Sequence, residues 1–248
     1  SISLSGRQGP VLLDIPNDVQ RAEIPDALVE KWLNMPLEIR TGSEICLNDL
    51  KNLENLCRDA RRPLICIGGG ARWADAMDEW LLTADVLGIP YVSTLMGHER
   101  VIARNNYFNM IGSYGNREAN WAVQNCDLLI VVGARIDVRQ TGSDVEDFAR
   151  QAHIVQIDID PSQLSNRVHA DLNMCVTAES FFRAFPLKEV AFPNLDKNWV
   201  TELSIRRDRA QHNEYADWKI SPSEIFKKLN RILAKHSIDY VCDVGNHQ

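Results

Sequence analysis

Short apolar runs alternate along this chain with segments whose apolar residues recur every three or four positions. Ile45, Leu47, Leu50, Leu53, Leu56, Cys57 and Ala60 form one such stripe, which predicts a helix opening a central domain. Residues 63–67 then predict a buried strand, Gly68-Gly69-Gly70 a turn, and residues 74–87 a helix closed by Gly88. The pattern repeats with strands at 89–94, 128–132 and 153–157, and helices at 118–125 and 145–151. Strands that are apolar throughout are buried on both faces, and parallel neighbours need crossover connections. The predicted fold is therefore α/β, a doubly wound and mainly parallel sheet with helices on both faces.

The flanks read differently. Residues 11–15 form an apolar run stopped by Pro16 and predict a short strand, while residues 18–41 are rich in Pro and charge, as in a linker. Residues 186–196 break the helix–strand pattern again, and 199–218 read as a helix. Ser221-Pro222-Ser223-Glu224 is a capping box for a helix to about residue 235, and residues 238–243 predict one more strand. Four parts follow: a strand and linker over 1–40, the central domain over 41–187, a linker and helix over 188–220, and the start of a further domain over 221–248.

Composition narrows the function classes. A chain of 248 residues that is 45% hydrophobic and 25% charged can bury a real core, which excludes disorder, collagen and coiled coil. With 27 Lys and Arg against 34 Asp and Glu, the net charge of -7 argues against nucleic acid as a partner. The apolar run at 128–134 falls far short of the roughly 20 residues of a membrane span. Cys46, Cys57, Cys66, Cys126, Cys175 and Cys242 lack metal or redox spacing, and Ser1-Ile2-Ser3-Leu4 opens no secretion signal, so a reducing cytoplasm is expected.

Three stretches carry candidate chemistry, each at the carboxyl end of a predicted strand, where open α/β sheets bind ligands. Gly68-Gly69-Gly70 allows close approach of a ligand, and the amides of the following helix would favour a phosphate. Trp73 stands where the dinucleotide fingerprint needs its third glycine, so glycines required only by a tight turn are an equal alternative. Gly133-Ala134-Arg135-Ile136-Asp137-Val138-Arg139 places two guanidinium groups and a carboxylate at the rim, suited to phosphate or to a surface ion pair. Asp158-Ile159-Asp160-Pro161 offers a carboxylate to ribose hydroxyls or an adenine amine, with a helix N-cap by Asp160 as the plainer role. A hard-metal site there ranks lower, because carboxylates one residue apart on an extended chain point to opposite faces. His98, His153, His169, His212 and His236 show no metal-ligand spacing and no paired nucleophile, so no catalytic or metal-ligating residue is assigned.

These stretches together resemble a known family, the thiamine diphosphate-dependent enzymes, and within it the acetolactate synthase large, catalytic subunit. Gly9-Pro10-Val11-Leu12-Leu13-Asp14-Ile15-Pro16 resembles the last strand of the pyrimidine-binding domain. Residues 63–71, Thr94-Leu95-Met96-Gly97, residues 118–123, residues 127–139 with Thr141-Gly142, and Asp158-Ile159-Asp160-Pro161 resemble successive blocks of the central domain. Asp243-Val244-Gly245-Asn246-His247-Gln248 is similar to the opening strand of the pyrophosphate-binding domain, with Asn246 where Gln is common.

The resemblance implies that the central domain binds FAD in an extended pose. Gly68, Gly69, Gly70, Thr94, Leu95, Gly133, Ala134, Arg135, Asp137, Arg139, Asp158 and Ile159 would line the flavin nucleotide, and Gly245, Asn246 and His247 would meet thiamine diphosphate. It implies decarboxylation of pyruvate and ligation of the two-carbon unit to a second carbonyl compound, with thiamine diphosphate as electron sink and Mg2+ as its anchor. It also implies a homodimer or homotetramer. Glu99, Ser113-Tyr114, Val138 and Ala178 depart from the family pattern. A thiamine diphosphate decarboxylase, a carboligase that builds branched sugars, or a nucleotide-binding module without chemistry are the alternatives. The family's activating glutamate has no counterpart among these residues and its G-D-G motif occurs nowhere in them, so the 248 residues by themselves are expected to be catalytically silent.

Overall fold

The computed structural model describes residues 3, 9–35, 44–102, 104–213 and 222–234. Its centre is a six-stranded sheet in the order β3-β2-β1-β4-β5-β6, and every neighbouring pair is parallel. The strands are β1 (Pro63–Ile67), β2 (Tyr91–Ser93), β3 (Tyr107–Met110), β4 (Leu128–Val132), β5 (His153–Asp158) and β6 (Leu172–Cys175). Two of them, β1 and β4, are buried at every position. The chain runs outward from β1 to β3 and then returns past β1 to begin β4, so the direction of winding reverses between β1 and β4. Such a reversal opens a crevice above the carboxyl ends of the two central strands.

Alternation along each strand builds two cores. Ile65 and Ile67 of β1 face a layer containing α3 (Leu47–Asp59), α4 (Met77–Leu87) and α7 (Ala178–Ala184), with Leu53, Trp80, Leu81 and Phe181 packed there. Leu64 and Cys66 point the other way, onto α5 (Arg117–Asn125) and α8 (Trp199–Asn213), where Ala122, Val123, Trp199 and Leu203 are buried. This is the doubly wound architecture that the apolar runs imply. A short helix, α6 (Val138–Thr141), follows β4 at the rim.

Several elements depart from the sequence-based expectation. Two strands, β3 and β6, and helix α7 lie where no element was expected. The helix expected at 145–151 is a single 3-10 turn, Val145–Asp147, because Ala149 takes a left-handed φ of 49° that ends helical winding. Helix α4 begins at Met77 rather than at residue 74. Residues 11–15 form no strand among the described residues, and the stretch read as a linker contains α1 (Asn17–Gln20) and α2 (Asp26–Leu33).

Helix α8 is part of the packed unit. Trp199 is fully buried and its indole Nε1–H donates to the Pro63 carbonyl at 3.0 Å. The Arg206 guanidinium lies 3.5 Å from the Trp121 ring centroid, and Trp121 packs against Trp199. The stretch before it is packed too, with Leu187 buried and Asp196 N–H bonded to the Arg61 carbonyl at 2.8 Å. Helix α9 (Pro222–Leu233) is formed as expected, whereas Ser221 of its capping box, the strand expected at 238–243 and Gly245, Asn246 and His247 lie outside the described residues. Among the described residues no helix is long and apolar enough to cross a membrane.

Candidate functional site

Strand register explains why three separate stretches of sequence meet. Ile67 pairs with Ser93 on one side and Val132 on the other, Val132 pairs with Ile157, and Asp158 pairs with Cys175. One residue further along, Thr94, Gly68, Gly133, Asp158 and Cys175 therefore form a single row across the carboxyl edge of the sheet. The Thr94, Gly68 and Gly133 N–H groups continue the ladder by donating to the Ile67, Val132 and Ile157 carbonyls at 3.0, 2.9 and 2.8 Å.

Two glycines allow the centre of that row to close. A Cβ on Gly68 would lie 2.1 Å from the Gly133 carbonyl oxygen, and Gly133 itself sits at φ 64° with its own Cβ position 2.5 Å from the Ala71 nitrogen. The β1 and β4 turns are thus packed backbone against backbone, joined by the Gly70 N–H donating to the Gly133 carbonyl at 2.9 Å. Gly68 answers to this packing and does not line the cleft above it.

That cleft has a volume of about 920 Å³, near the upper end of the roughly 300–1,000 Å³ usual for small-molecule sites. It brings together Gly69, Gly70, Thr94, Gly133, Ala134, Arg135, Asp137, Asp158 and Ile159, nine of the residues singled out from sequence. Gly68, Leu95 and Arg139 are not among its lining residues. The Arg139 backbone carbonyl instead receives the Ser113 N–H at 2.8 Å and holds the loop after β3. The lining also includes Arg72, Trp73, Met96, Gln140, Thr177 and Glu179, which sequence reasoning left outside the site. Only Met96, inside a quoted motif, and Trp73, noted as a departure from the fingerprint, carried any signal in the sequence.

The charged groups have distinct duties. Asp137 caps α6, accepting from the Arg139 N–H at 2.9 Å while the Gln140 side chain receives the Asp137 N–H in return. Its other oxygen stands 3.9 Å from Arg135, a loose and exposed pair. Asp158 accepts the Asp160 N–H at 2.9 Å, and Asp160 caps the short turn after β5 through the Ser162 N–H. The capping role read for Asp160 is therefore present. Among the described residues no group of three His, Cys, Asp or Glu could hold a metal ion.

Glu179 alters the phosphate argument. Helix α4 begins at Met77, seven residues beyond Gly70, and the N–H of Ala76 at its N-cap donates to the Glu179 carboxylate at 3.0 Å. Partial burial opposes that charge, yet the Ala76 N–H and the Arg183 guanidinium outweigh it and hold the carboxyl below its ordinary range. A protein carboxylate thus already occupies the anion-favouring end of α4. The cations that line the cleft are Arg72 and Arg135, and they are the groups able to meet a diphosphate there.

The cleft crosses the loops that follow β2, β1, β4, β5 and β6. Four strand spacings of about 4.8 Å give it a width of roughly 19 Å. A parallel sheet wound in this order, with a cleft over its switch point, defines a doubly wound α/β domain of the Rossmann type.

Comparison with known proteins specifies the domain further. Residues 50–185 match the family model for the central domain of thiamine pyrophosphate enzymes, and the chain belongs to that family. It is 31% identical over its whole length to a probable acetolactate synthase large subunit of Methanocaldococcus jannaschii, covering 43% of that protein. It is 32% identical over its whole length to the acetolactate synthase large subunit of Parasynechococcus marenigrum and 31% to that of Corynebacterium glutamicum, covering 40% of each. The chain spans about two fifths of the length of these relatives.

Proposed function

We propose that this chain forms the central, FAD-holding domain of an acetolactate synthase-like enzyme, which decarboxylates pyruvate and joins the two-carbon unit to a second carbonyl compound. The observation that carries this reading is the single cleft shared by the glycine, arginine and aspartate stretches, each supplied by a different strand of one row. The residues present fit a dinucleotide. Gly69 and Gly70 present backbone to the cleft, their missing side chains answering to Met96 and Gly133, Arg72 and Arg135 would meet the diphosphate, and Asp158 would accept from ribose hydroxyls or an adenine amine. Thiamine diphosphate supplies the electron sink of the reaction when bound, with Mg2+ anchoring its diphosphate. Domains outside the central one provide its site, including the expected contacts at Gly245, Asn246 and His247.

In this reading the central domain's residues bind and orient the nucleotide and perform no proton transfer. The full enzyme works as a homodimer or homotetramer in the cytoplasm, and the boundaries of the central domain extend past residue 187 to include α8, whose Trp199 and Leu203 complete the core. The test is a thermal-shift series with FAD, ADP and coenzyme A, since a ligand that binds only the native state raises its melting temperature. At a hundred times its dissociation constant a ligand adds about 2.7 kcal/mol of stability. FAD should give the largest shift. A response to ADP or coenzyme A that exceeds the response to FAD would assign the cleft to another nucleotide and overturn the flavin reading.

A further inference from the structure

Trp73 stands apart from the other tryptophans of the sheet domain. Trp80 and Trp199 are buried and Trp121 is partly buried, whereas Trp73 is 77% exposed and lines the cleft. Large aromatic side chains dominate cores because burying them is strongly favourable, so an indole left in water at the mouth of a ligand cleft needs a partner. Its neighbour Arg72 places its guanidinium carbon 4.6 Å from the Trp73 ring centroid, and Arg72 also lines the cleft. Among the described residues no ion pair is formed by Arg72, so its charge is held by the ring and faces the same space. With an exposure of 77%, most of the indole is left in contact with solvent. Met96, another exposed side chain of the lining, adds a polarisable thioether from the loop after β2.

We infer that Trp73 is a stacking residue for a planar heteroaromatic ring of the bound nucleotide, with Arg72 backing the indole and reaching the diphosphate that carries the ring. This assignment rests on the nucleotide reading of the cleft and adds to it the group that recognises the ring. Two rings of FAD share this chemistry, the adenine and the isoalloxazine.

The test is calorimetric titration of the full chain and of W73A, W73F and W73L with FAD, ADP and FMN. Stacking on an aromatic side chain contributes roughly 1–3 kcal/mol by alanine substitution, so W73A and W73L should bind FAD about tenfold more weakly while W73F stays close to the parent. Trp73 is exposed, so its replacement leaves the core intact, and an unchanged melting temperature without ligand checks this. A loss shared by FAD and FMN supports the subsite and assigns the isoalloxazine to it, and a loss shared by FAD and ADP assigns the adenine. Equal FAD binding by the parent chain and W73A overturns the stacking role and leaves the nucleotide cleft standing. Absence of binding of all three ligands to the parent chain overturns both.

Discussion

Gly68 shows how one residue can sit at the centre of the strand-end row beneath a cleft and serve only the backbone. Its missing Cβ lets the β1 turn approach the Gly133 carbonyl, and an alanine there would meet the Gly133 backbone and the Ala134 Cβ. Overpacking of this kind costs about 1–3 kcal/mol, so G68A should lower the urea midpoint by a corresponding amount even with no ligand present. An unchanged midpoint would mean that the β1 and β4 turns part easily. A different residue, Asp171, ties the sheet to pH. Partial burial opposes its charge, but the Ile154 N–H at 2.8 Å and the neighbouring His153 prevail and hold its carboxyl below the ordinary value. A carboxyl depressed in the folded state contributes its full stability above the unfolded value and loses it as pH falls through the folded one. Stability should therefore decline below about pH 4, and D171N should flatten part of that decline in a urea-denaturation series against pH.

Among the elements, α8 is the one whose role the linear pattern conceals. Its hydrophobic stripe is thin, yet Trp199 fills the core beneath α5 and bonds to β1 through the Pro63 carbonyl. Truncating such a side chain costs about 3–5 kcal/mol. W199A should lose that much in chemical denaturation, while W199F, which keeps the ring and forfeits one hydrogen bond, should lose about 1 kcal/mol. Equal losses would place the value of Trp199 in the bond and not in the packing. The strands show a matching contrast in how far sequence informs. The central pair, β1 and β4, is legible because each is an unbroken apolar run, buried on both faces. Tyr107–Met110 and Leu172–Cys175 contain Asn109 and Asn173 and sit at the two edges, where only part of each strand is covered. Asn109 even takes a φ of 66° where the β2–β3 register shifts, a local irregularity that no period-2 pattern announces.

At the scale of the whole molecule, the sheet edge and most of its cleft follow from motifs that sit at strand ends. Arg72, Thr177 and Glu179 did not emerge that way. Arg72 lies in turns between the glycines and α4, and Thr177 and Glu179 are the N-cap and first turn of α7, which follows an edge strand too short and polar to read. The chemistry expected of the central domain is binding alone. The 248 residues incubated with pyruvate, thiamine diphosphate, Mg2+ and FAD should form no detectable acetolactate, and product above the enzyme-free control would place the reacting groups within them.

The contact between the β1 and β4 turns has a bearing on how this fold can diversify. Because the floor of the cleft is main chain meeting main chain, almost no side chain can be exchanged there without prying the sheet apart. Any change of ligand among descendants of this domain is consequently forced outward, onto the few projecting groups of the walls such as the exposed Trp73, and not onto Glu179, which is tied to the start of α4.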